Sequence, residues 1–451
     1  MSEGKKIPVF DIALGEKEKE YVKDCVDTSF IGQGKYVKTL EEKFSAFVNC
    51  KYGITTTSGT TALHLACATL GLKKNDEVLV SSSTNMAFPF AIDYCEAIPI
   101  PIDIEKETWQ LDVSKIEEKI NKNTKAIMVV HLFGHPVDMD PVLKIAKKHN
   151  LFIVEDAAQA LGARYKGQHA GTFGLASAIS FYPAKVLGCL GDAGAVLVND
   201  KELYHKIYQI HDHGRGEDGE VIRWGRNSRL DNIQAAILSF KLKTYVKVIA
   251  RRREVAQMYQ ERLGQLEELQ LPPAPSVDSD NFDVYQNYEL QADSRDDLKT
   301  YLSKKNIGTL IQWGGKGIHQ FTQLGFDQVL PDTERFFERF VLQWLRTEGL
   351  GDTYRPDESR FSEINESLMV AMRQEGVMVV GNVIRDNHSL LRLLYDNSTF
   401  MNKELAAHYG YEKLVTGPGW QKVHLNDSNR GGLLTQAAVL TVSSSPRRTS
   451  P

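Results

Sequence analysis

Apolar and polar positions follow two rhythms over the first two hundred residues. Residues 16–28 and 35–48 carry apolar side chains at helical spacing, separated by Ile31-Gly32-Gln33-Gly34. Tyr52–Thr56 reads as a small strand that runs into Ser58-Gly59-Thr60, with an Ala- and Leu-rich helix behind it. Glu77–Val80 reads as a strand and 86–95 as a helix. Ile98-Pro99-Ile100-Pro101-Ile102 is extended, and its prolines suit a sheet edge. Ala126–Val130 is a buried strand. Asp140-Pro141 opens a helix with Pro at its first position, and Val142, Ile145 and Ala146 form its apolar face. Leu151–Val154 is the next strand and ends in Glu155-Asp156. Ala178–Phe181 and Ala195–Val198 are two more. This alternation predicts an α/β domain with a large, mainly parallel sheet, whose ligands sit at the carboxyl ends of the strands.

Past residue 200 the pattern turns helical. Leu230–Ala236 opens a helix that continues to about 262, and Pro272-Pro273-Ala274-Pro275 is a connector. Val284–Gln291 reads as a strand, 295–305 as a helix and Thr309–Trp313 as a strand, which suits a smaller α+β domain. The predicted division is a large domain at 1–240, a small one at 241–340 and a separate, mostly helical fragment at 341–451.

Composition narrows the classes of function. A formal charge of −4 gives no electrostatic case for nucleic acid or an anionic membrane. Met1–Lys6 lacks the apolar core of a signal peptide, and no apolar run is long enough to span a bilayer. The five cysteines are an odd count without CxxC spacing, which predicts reduced thiols in a cytoplasmic protein without a metal.

Three places carry candidate chemistry. Lys185 stands between two strands in a turn with Pro183, Gly188, Gly191 and Gly194. A lysine shielded there can lose its proton and act as an amine nucleophile; a solvated loop lysine fits the same pattern. Asp156 follows a strand directly, where a carboxylate can accept from a protonated ring nitrogen or cap the next helix. Ser58-Gly59-Thr60 opens a helix whose free N–H groups suit a phosphate, and Ser58 equally suits a plain N-cap. A lysine, a carboxylate and a helix end are together what pyridoxal phosphate needs.

Five motifs make a resemblance specific. Ser180–Lys185 with Gly191–Ala195, Val154–Ala163, Thr55–Ala66, Asp212–Arg215 and Gly225–Ala236, in this order and spacing, resemble the sugar-nucleotide aminotransferases of the DegT/StrS group over roughly 7–340. The resemblance implies the fold of pyridoxal-phosphate aminotransferases (fold type I). Lys185 then matches the lysine that binds the cofactor's aldehyde and moves the proton, and Asp156 the acid that keeps the pyridine nitrogen protonated. Gln159 matches a contact to the cofactor ring; Ser58, Gly59, Thr60 and Ser180 match phosphate contacts. Asn227 matches a residue reaching the phosphate of the neighbouring subunit, which implies a homodimer. The implied reaction is ping-pong amination of a nucleotide-linked keto sugar, with glutamate as donor. One branch of the group has His in place of the lysine and dehydrates sugars; Lys185 argues against it. A non-catalytic fusion protein is the alternative of another class.

Two departures stand out. Asn85, after Thr84, occupies the cofactor-binding position where the group often stacks an aromatic side chain. Gln312–Lys316 differs from an aromatic, proline-containing segment of the group. From about Phe340 the text changes. Val341–Leu345, Phe361–Arg373, Asn397–Asn402, His408-Tyr409-Gly410 and Arg430–Gln436 resemble part of large cytochrome-c-associated bacterial proteins of unknown function, without a CxxCH haem site. The segment reads as a fusion that leaves the small domain without its last strand and helix. Its helices at 365–375 and 389–395 have apolar faces that need a partner.

Overall fold

The computed structural model describes residues 6–333 apart from 13, 277–279, 327 and 329, then 364–385, 392–425 apart from 418, and positions 436, 438 and 439. Two helices open the chain, α1 (Glu16–Asp27) and α2 (Lys35–Phe47), followed by β1 (Tyr52–Thr56) and α3 (Gly59–Thr69). Then come β2 (Glu77–Ser81), α4 (Ala87–Asp93), β3 (Ile98–Ile102), β4 (Thr124–Val130), α5 (Met139–His149) and β5 (Phe152–Asp156). A short hairpin, β6 (Arg164–Tyr165) and β7 (Gln168–His169), precedes β8 (Ala176–Ser180) and β9 (Gly194–Val198). The main sheet has the order β1-β9-β8-β5-β4-β2-β3. All its strands run parallel except β9, which is antiparallel to both neighbours. The expected mainly parallel sheet is therefore present.

Strand alternation divides the core between two faces. Val78, Val80, Met128 and Val154 point to one face and pack with Leu63 and Ala66 of α3. Leu79, Ile127, Val129 and Ile153 point to the other and pack with Val142 and Ala146 of α5. Further along that sheet, Ile179, Ala195 and Leu197 meet Leu40 and Phe44 of α2. Helices cover both faces, which is why the central strands read as continuous apolar runs.

The two sheet edges are closed differently. β3 is the last strand on its side, as its prolines predicted. Ile98 N donates back to Asp76 O at 2.8 Å, so by alternation the nitrogens of Pro99 and Pro101 face outward, where no ladder bond is lost. At the other edge, Thr55 N donates to Glu41 Oε1 at 2.8 Å and Thr57 N to Ser228 O at 3.0 Å. Burial pushes the Glu41 carboxyl up to about 7, against the opposing pull of the Thr55 N–H and hydroxyl. A carboxyl raised in this way contributes stability below its unfolded value of 4.5 and loses it as pH rises through about 7. Glu41→Gln keeps the acceptor and removes the charge. Thermal melts should show it more stable than wild type near pH 8 and little changed near pH 4.5; an equal gain at both would disprove the ionisation.

Four local expectations need correction. Helix α5 begins at Met139, so Pro141 is its third residue, still in the first turn where N–H groups lack helical partners. Helix α6 (Lys201–His211) precedes the helix expected from Leu230 to about 262, which breaks into α7 (Asn232–Lys241) and α8 (Tyr245–Leu263). Between the last two, the Thr244 hydroxyl donates to Lys241 O, and the buried Tyr245 is tied by its Oη to Leu161 O at 2.8 Å. Val284–Gln291 is not a strand beyond Gln291-Ala292, because Tyr285 adopts φ +48° and breaks the extended run. Thr309–Trp313 is not one either. Trp313, Gly314 and Gly315 all have positive φ and close a tight turn at Gln312–Gly315. The helix expected at 295–305 is α9 (Arg295–Lys304).

The chain divides into two compact units, Met1–Ala292 with Lys299–Phe336, and Asp293–Leu298 with Phe337–Pro451. In the second, the helix Glu366–Arg385 buries Leu368, Met369 and Met372 against Met401, Leu405 and Val423. The strands Ser398–Met401 and Gln421–His424 pair antiparallel. Glu375 is buried there and accepts from Thr399 Oγ1 at 2.6 Å and Tyr409 Oη at 2.5 Å. The apolar face of the predicted 365–375 helix thus finds its partner within this unit. Of the helix expected at 389–395, Arg392–Tyr395 is described. Val341–Leu345, Arg430–Thr435 and the place where a last strand and helix would complete the small domain lie outside the described residues. Among the described residues no helix is long and apolar enough to cross a membrane.

Candidate active site

β8 ends at Ser180 and β9 returns from Gly194, so the Lys185 loop lies at the carboxyl end of β8. The loop is closed by Phe181 N donating to Ala193 O at 2.8 Å and Cys189 N to Phe181 O at 2.9 Å. Lys185 N donates to Tyr182 O at 2.8 Å. A Cβ at Gly188 would stand 2.5 Å from Pro183 O, so the turn closes only on glycine. From α7, Lys241 Nζ donates to Gly188 O and Gln234 Oε1 accepts from Leu190 N, both at 2.9 Å. Burial pulls the Lys185 amine below its ordinary pKa, while the nearby Asp156 charge pushes it up. A desolvated amine beside one carboxylate is a competent nucleophile and proton carrier.

Asp156 closes β5 and is 8% exposed. Burial raises its carboxyl above the usual range; the Ala158 N–H, Lys185 and His131 oppose that. Its Oδ1 accepts from Ala158 N at 2.6 Å, so the capping role is real, although it closes a turn and not a helix. Oδ2 makes no hydrogen bond among the described residues and is left for a ligand. The neighbouring Glu155 leaves the strand on the opposite face. It accepts from Gly171 N, Phe173 N and Gly174 N at 2.6–2.7 Å, and pairs with His131 Nε2 at 2.9 Å. Val137 N donates to His131 Nδ1, so the ring proton sits on Nε2 and points at Glu155. His131 N in turn donates to Asp156 O at 3.0 Å. This strut fixes the end of β5, and sequence reasoning missed it; two adjacent acids at a strand end were its only signal.

The start of α3 combines a side-chain cap with open backbone donors. Thr61 N donates to Ser58 Oγ at 3.1 Å, so the Ser58 side chain is an N-cap. The N–H groups of Gly59 and Thr60 have no hydrogen-bond partner among the described residues, and they lie at the start of α3. A Cβ at Gly59 would stand 2.7 Å from Ser180 Cβ, and one at Gly194 would stand 2.5 Å from Ser58 O. The start of α3 is thus pressed against the end of β8, with the Ser180 hydroxyl beside it. Past the end of β2, the buried hydroxyls of Ser83 and Thr84 find no partner among the described residues, the kind of gap a polar ligand fills.

The remaining predicted residues are placed as follows. Gln159 Oε1 accepts from Phe133 N at 2.7 Å. Phe133 stacks on Trp313 with ring centres 6.2 Å apart, and Trp109 meets it edge-on. Asn85 is exposed, and its Oδ1 accepts from Ala87 N at the start of α4. Asn227 is also exposed, and the adjacent Ser228 O holds Thr57 N beside the Ser58 turn. Ser58, Gly59, Thr60, Asp156, Gln159, Ser180 and Lys185 thus share the carboxyl edge of one sheet, and their donor set fits an aldehyde, a ring nitrogen and a phosphate.

Comparison with known proteins gives the family of most of the chain. The DegT/DnrJ/EryC1/StrS aminotransferase family matches residues 13–346, and a protein family of unknown function (DUF1592) matches residues 327–411. GDP-perosamine synthase of Escherichia coli O157:H7 is 40% identical over 316 residues, 68% of this chain and 84% of that protein. The dTDP-3-amino-3,4,6-trideoxy-α-D-glucose transaminase of Streptomyces venezuelae is 34% identical over 318 residues, 69% of this chain and 83% of that protein. The solved structure of NtdA from Bacillus subtilis with bound cofactor PMP covers 74% of this chain and 79% of its own, with a TM-score of 0.66 and 28% identity.

Proposed function

The chain belongs to the DegT/DnrJ/EryC1/StrS aminotransferase family, and from that premise we propose that it aminates a nucleotide-linked keto sugar with glutamate as donor, by ping-pong kinetics, as a cytoplasmic homodimer. The observation that carries this reading is the meeting of Lys185, Asp156 and the start of α3 at the carboxyl edge of one sheet. Pyridoxal phosphate, when bound, supplies an electron sink for the carbanion formed beside the transferred nitrogen. Lys185 would hold its aldehyde and carry the proton. Asp156 Oδ2 would accept from the ring N–H and keep that nitrogen charged. The N–H groups of Gly59 and Thr60, with the Ser180 hydroxyl, receive the phosphate. Gln159 would contact the ring, and Asn85 takes a place where a stacking side chain would add contact. Catalysis belongs to residues up to about 340, arranged as a large part at 1–240 and a small part at 241–340; residues 341–451 take no part in the chemistry.

The two relatives are named for a GDP-linked and a dTDP-linked sugar, which supports a nucleotide sugar and leaves the nucleotide open. Incubation with glutamate and a panel of nucleotide-linked 3- and 4-keto sugars should give an amino sugar and 2-oxoglutarate in equal amounts. Loss of water from the sugar without nitrogen transfer would overturn the reading in favour of dehydration.

The dimer has its own test. If Asn227 serves the neighbour's site, mixing an inactive Lys185→Ala chain with an inactive Asn227→Asp chain creates one intact site per mixed dimer. Random exchange should restore about a quarter of wild-type activity. No recovery, with mixed dimers shown by mass spectrometry, would place Asn227 in its own chain's site or in none.

A further inference from the structure

Gln286 is buried and reaches the Lys185 loop from a segment a hundred residues away in the chain. Its Nε2 donates to Ala184 O and its Oε1 accepts from Val186 N, both at 2.9 Å. These two groups belong to the peptides on either side of Lys185. The orientation of the first peptide sets φ of Lys185, and that of the second sets ψ. Because peptides are planar, one side-chain amide holds both soft dihedrals of a single residue, and with them the direction in which its side chain leaves the backbone. The amide, with a donor and an acceptor side by side, does both.

The segment carrying Gln286 is itself held from several directions. Arg252 Nη1 donates to Tyr285 O at 2.9 Å and to Gln286 O at 3.2 Å. Arg253 Nη1 donates to Asp283 O at 2.8 Å. Val284 N donates to Gly134 O, and Asn287 N to Phe133 O, whose own N–H is held by Gln159. Gly134 has φ +100°, and a Cβ there would stand 2.7 Å from Gln286 N, so the two segments approach only because it is glycine. Tyr285, one residue before Gln286, keeps a left-handed backbone that non-glycine residues avoid, a conformation retained where its surroundings over-determine it.

We propose that Gln286 is a positioning residue of the site, which clamps the backbone on both sides of Lys185 so that the amine is presented in one direction. The assignment rests on the reading of Lys185 as the reactive amine.

Gln286→Met keeps the length and removes both bonds. Gln286→Glu keeps an acceptor for Val186 N and sets a carboxylate oxygen against Ala184 O. Tyr285→Phe is the control for the segment: it removes only the bond from Tyr285 Oη to Pro273 O at 2.7 Å. Three quantities are measured on the full chain: the pH profile of Lys185 acetylation in protein stripped of cofactor, kcat against KM in the loaded enzyme, and the melting temperature. Gln286→Met should shift the Lys185 profile toward that of a free lysine and lower kcat about 10²-fold, the cost of a misplaced reacting group, with KM changed far less. Gln286→Glu should fall between it and wild type. Tyr285→Phe should lower the melting temperature and leave the Lys185 profile in place. If either Gln286 variant folds with an unmoved profile and kcat, or changes only its melting temperature as Tyr285→Phe does, the clamp is merely structural and the proposal fails. Borohydride trapping of the parent protein separates this from the broader reading. A trapped residue other than Lys185 overturns both; trapping at Lys185 with an unmoved profile overturns the clamp alone.

Discussion

Lys185→Ala should abolish turnover while leaving the fold intact. Alanine removes the amine proposed to hold the cofactor and carry the proton, and no other lysine sits in the Lys185 loop. Losses on removal of a nucleophile run to about 10⁴–10⁶-fold in kcat. The Lys185 side chain contributes no hydrogen bond to the loop, which is closed by backbone bonds from Phe181, Lys185 and Cys189 and from outside by Lys241 and Gln234. The melting temperature should therefore stay near wild type, or rise slightly, since a desolvated amine is removed. Initial-rate assays with calorimetry on the same preparations check both halves. A variant that turns over normally and is still trapped by borohydride at another lysine would show that the amine lies elsewhere.

Asp156→Asn should keep cofactor affinity in part and slow proton removal by about 10²–10³-fold, the usual cost of losing one preorganised electrostatic partner. Asparagine preserves the bond to Ala158 N through its carbonyl oxygen, so the turn after β5 persists. What it lacks is the negative charge proposed to hold the ring nitrogen protonated. A deuterium isotope effect on the donor's α-hydrogen should grow in the variant, because proton removal becomes the slow step. Near-wild-type rates would reduce Asp156 to a turn cap. The strut behind it gives a contrast. Glu155 accepts three backbone N–H groups and the His131 ring, so its replacement should cost stability first.

The parts of the site that were legible in the sequence are those marked by local punctuation. Pro183, Gly188 and Gly194 bracket Lys185 between two apolar runs, and Asp156 ends another run, so strand ends and turn residues placed both. The Ser-Gly-Thr step before an Ala-rich helix marked the start of α3. Gln286 left no such mark. Its function depends on a contact made a hundred residues away, and its own stretch reads as a strand because Val284, Tyr285 and Tyr288 favour extended backbone. The structure instead bonds that backbone to Phe133 and Gly134. Trp313 was misread for a related reason: the positive φ values at Gly314 and Gly315 outweigh the β preference of Thr309-Leu310-Ile311. Phe133, Trp109 and Trp313, distant in sequence, meet only once the chain is folded.

The closed edges of the main sheet restrict how two copies of this chain can meet. At β3, Pro99 and Pro101 turn their nitrogens outward, and at β1 Glu41 and Ser228 already occupy the outward N–H groups of Thr55 and Thr57. Neither border offers the free row of donors on which a foreign strand would dock. A continuous sheet running from one subunit into the next is thereby disfavoured, and so is the edge-to-edge stacking that begins fibril growth. Contact between copies is thereby steered away from these two edges, toward surfaces whose side chains can vary without disturbing the ladder that carries Asp156 and Lys185.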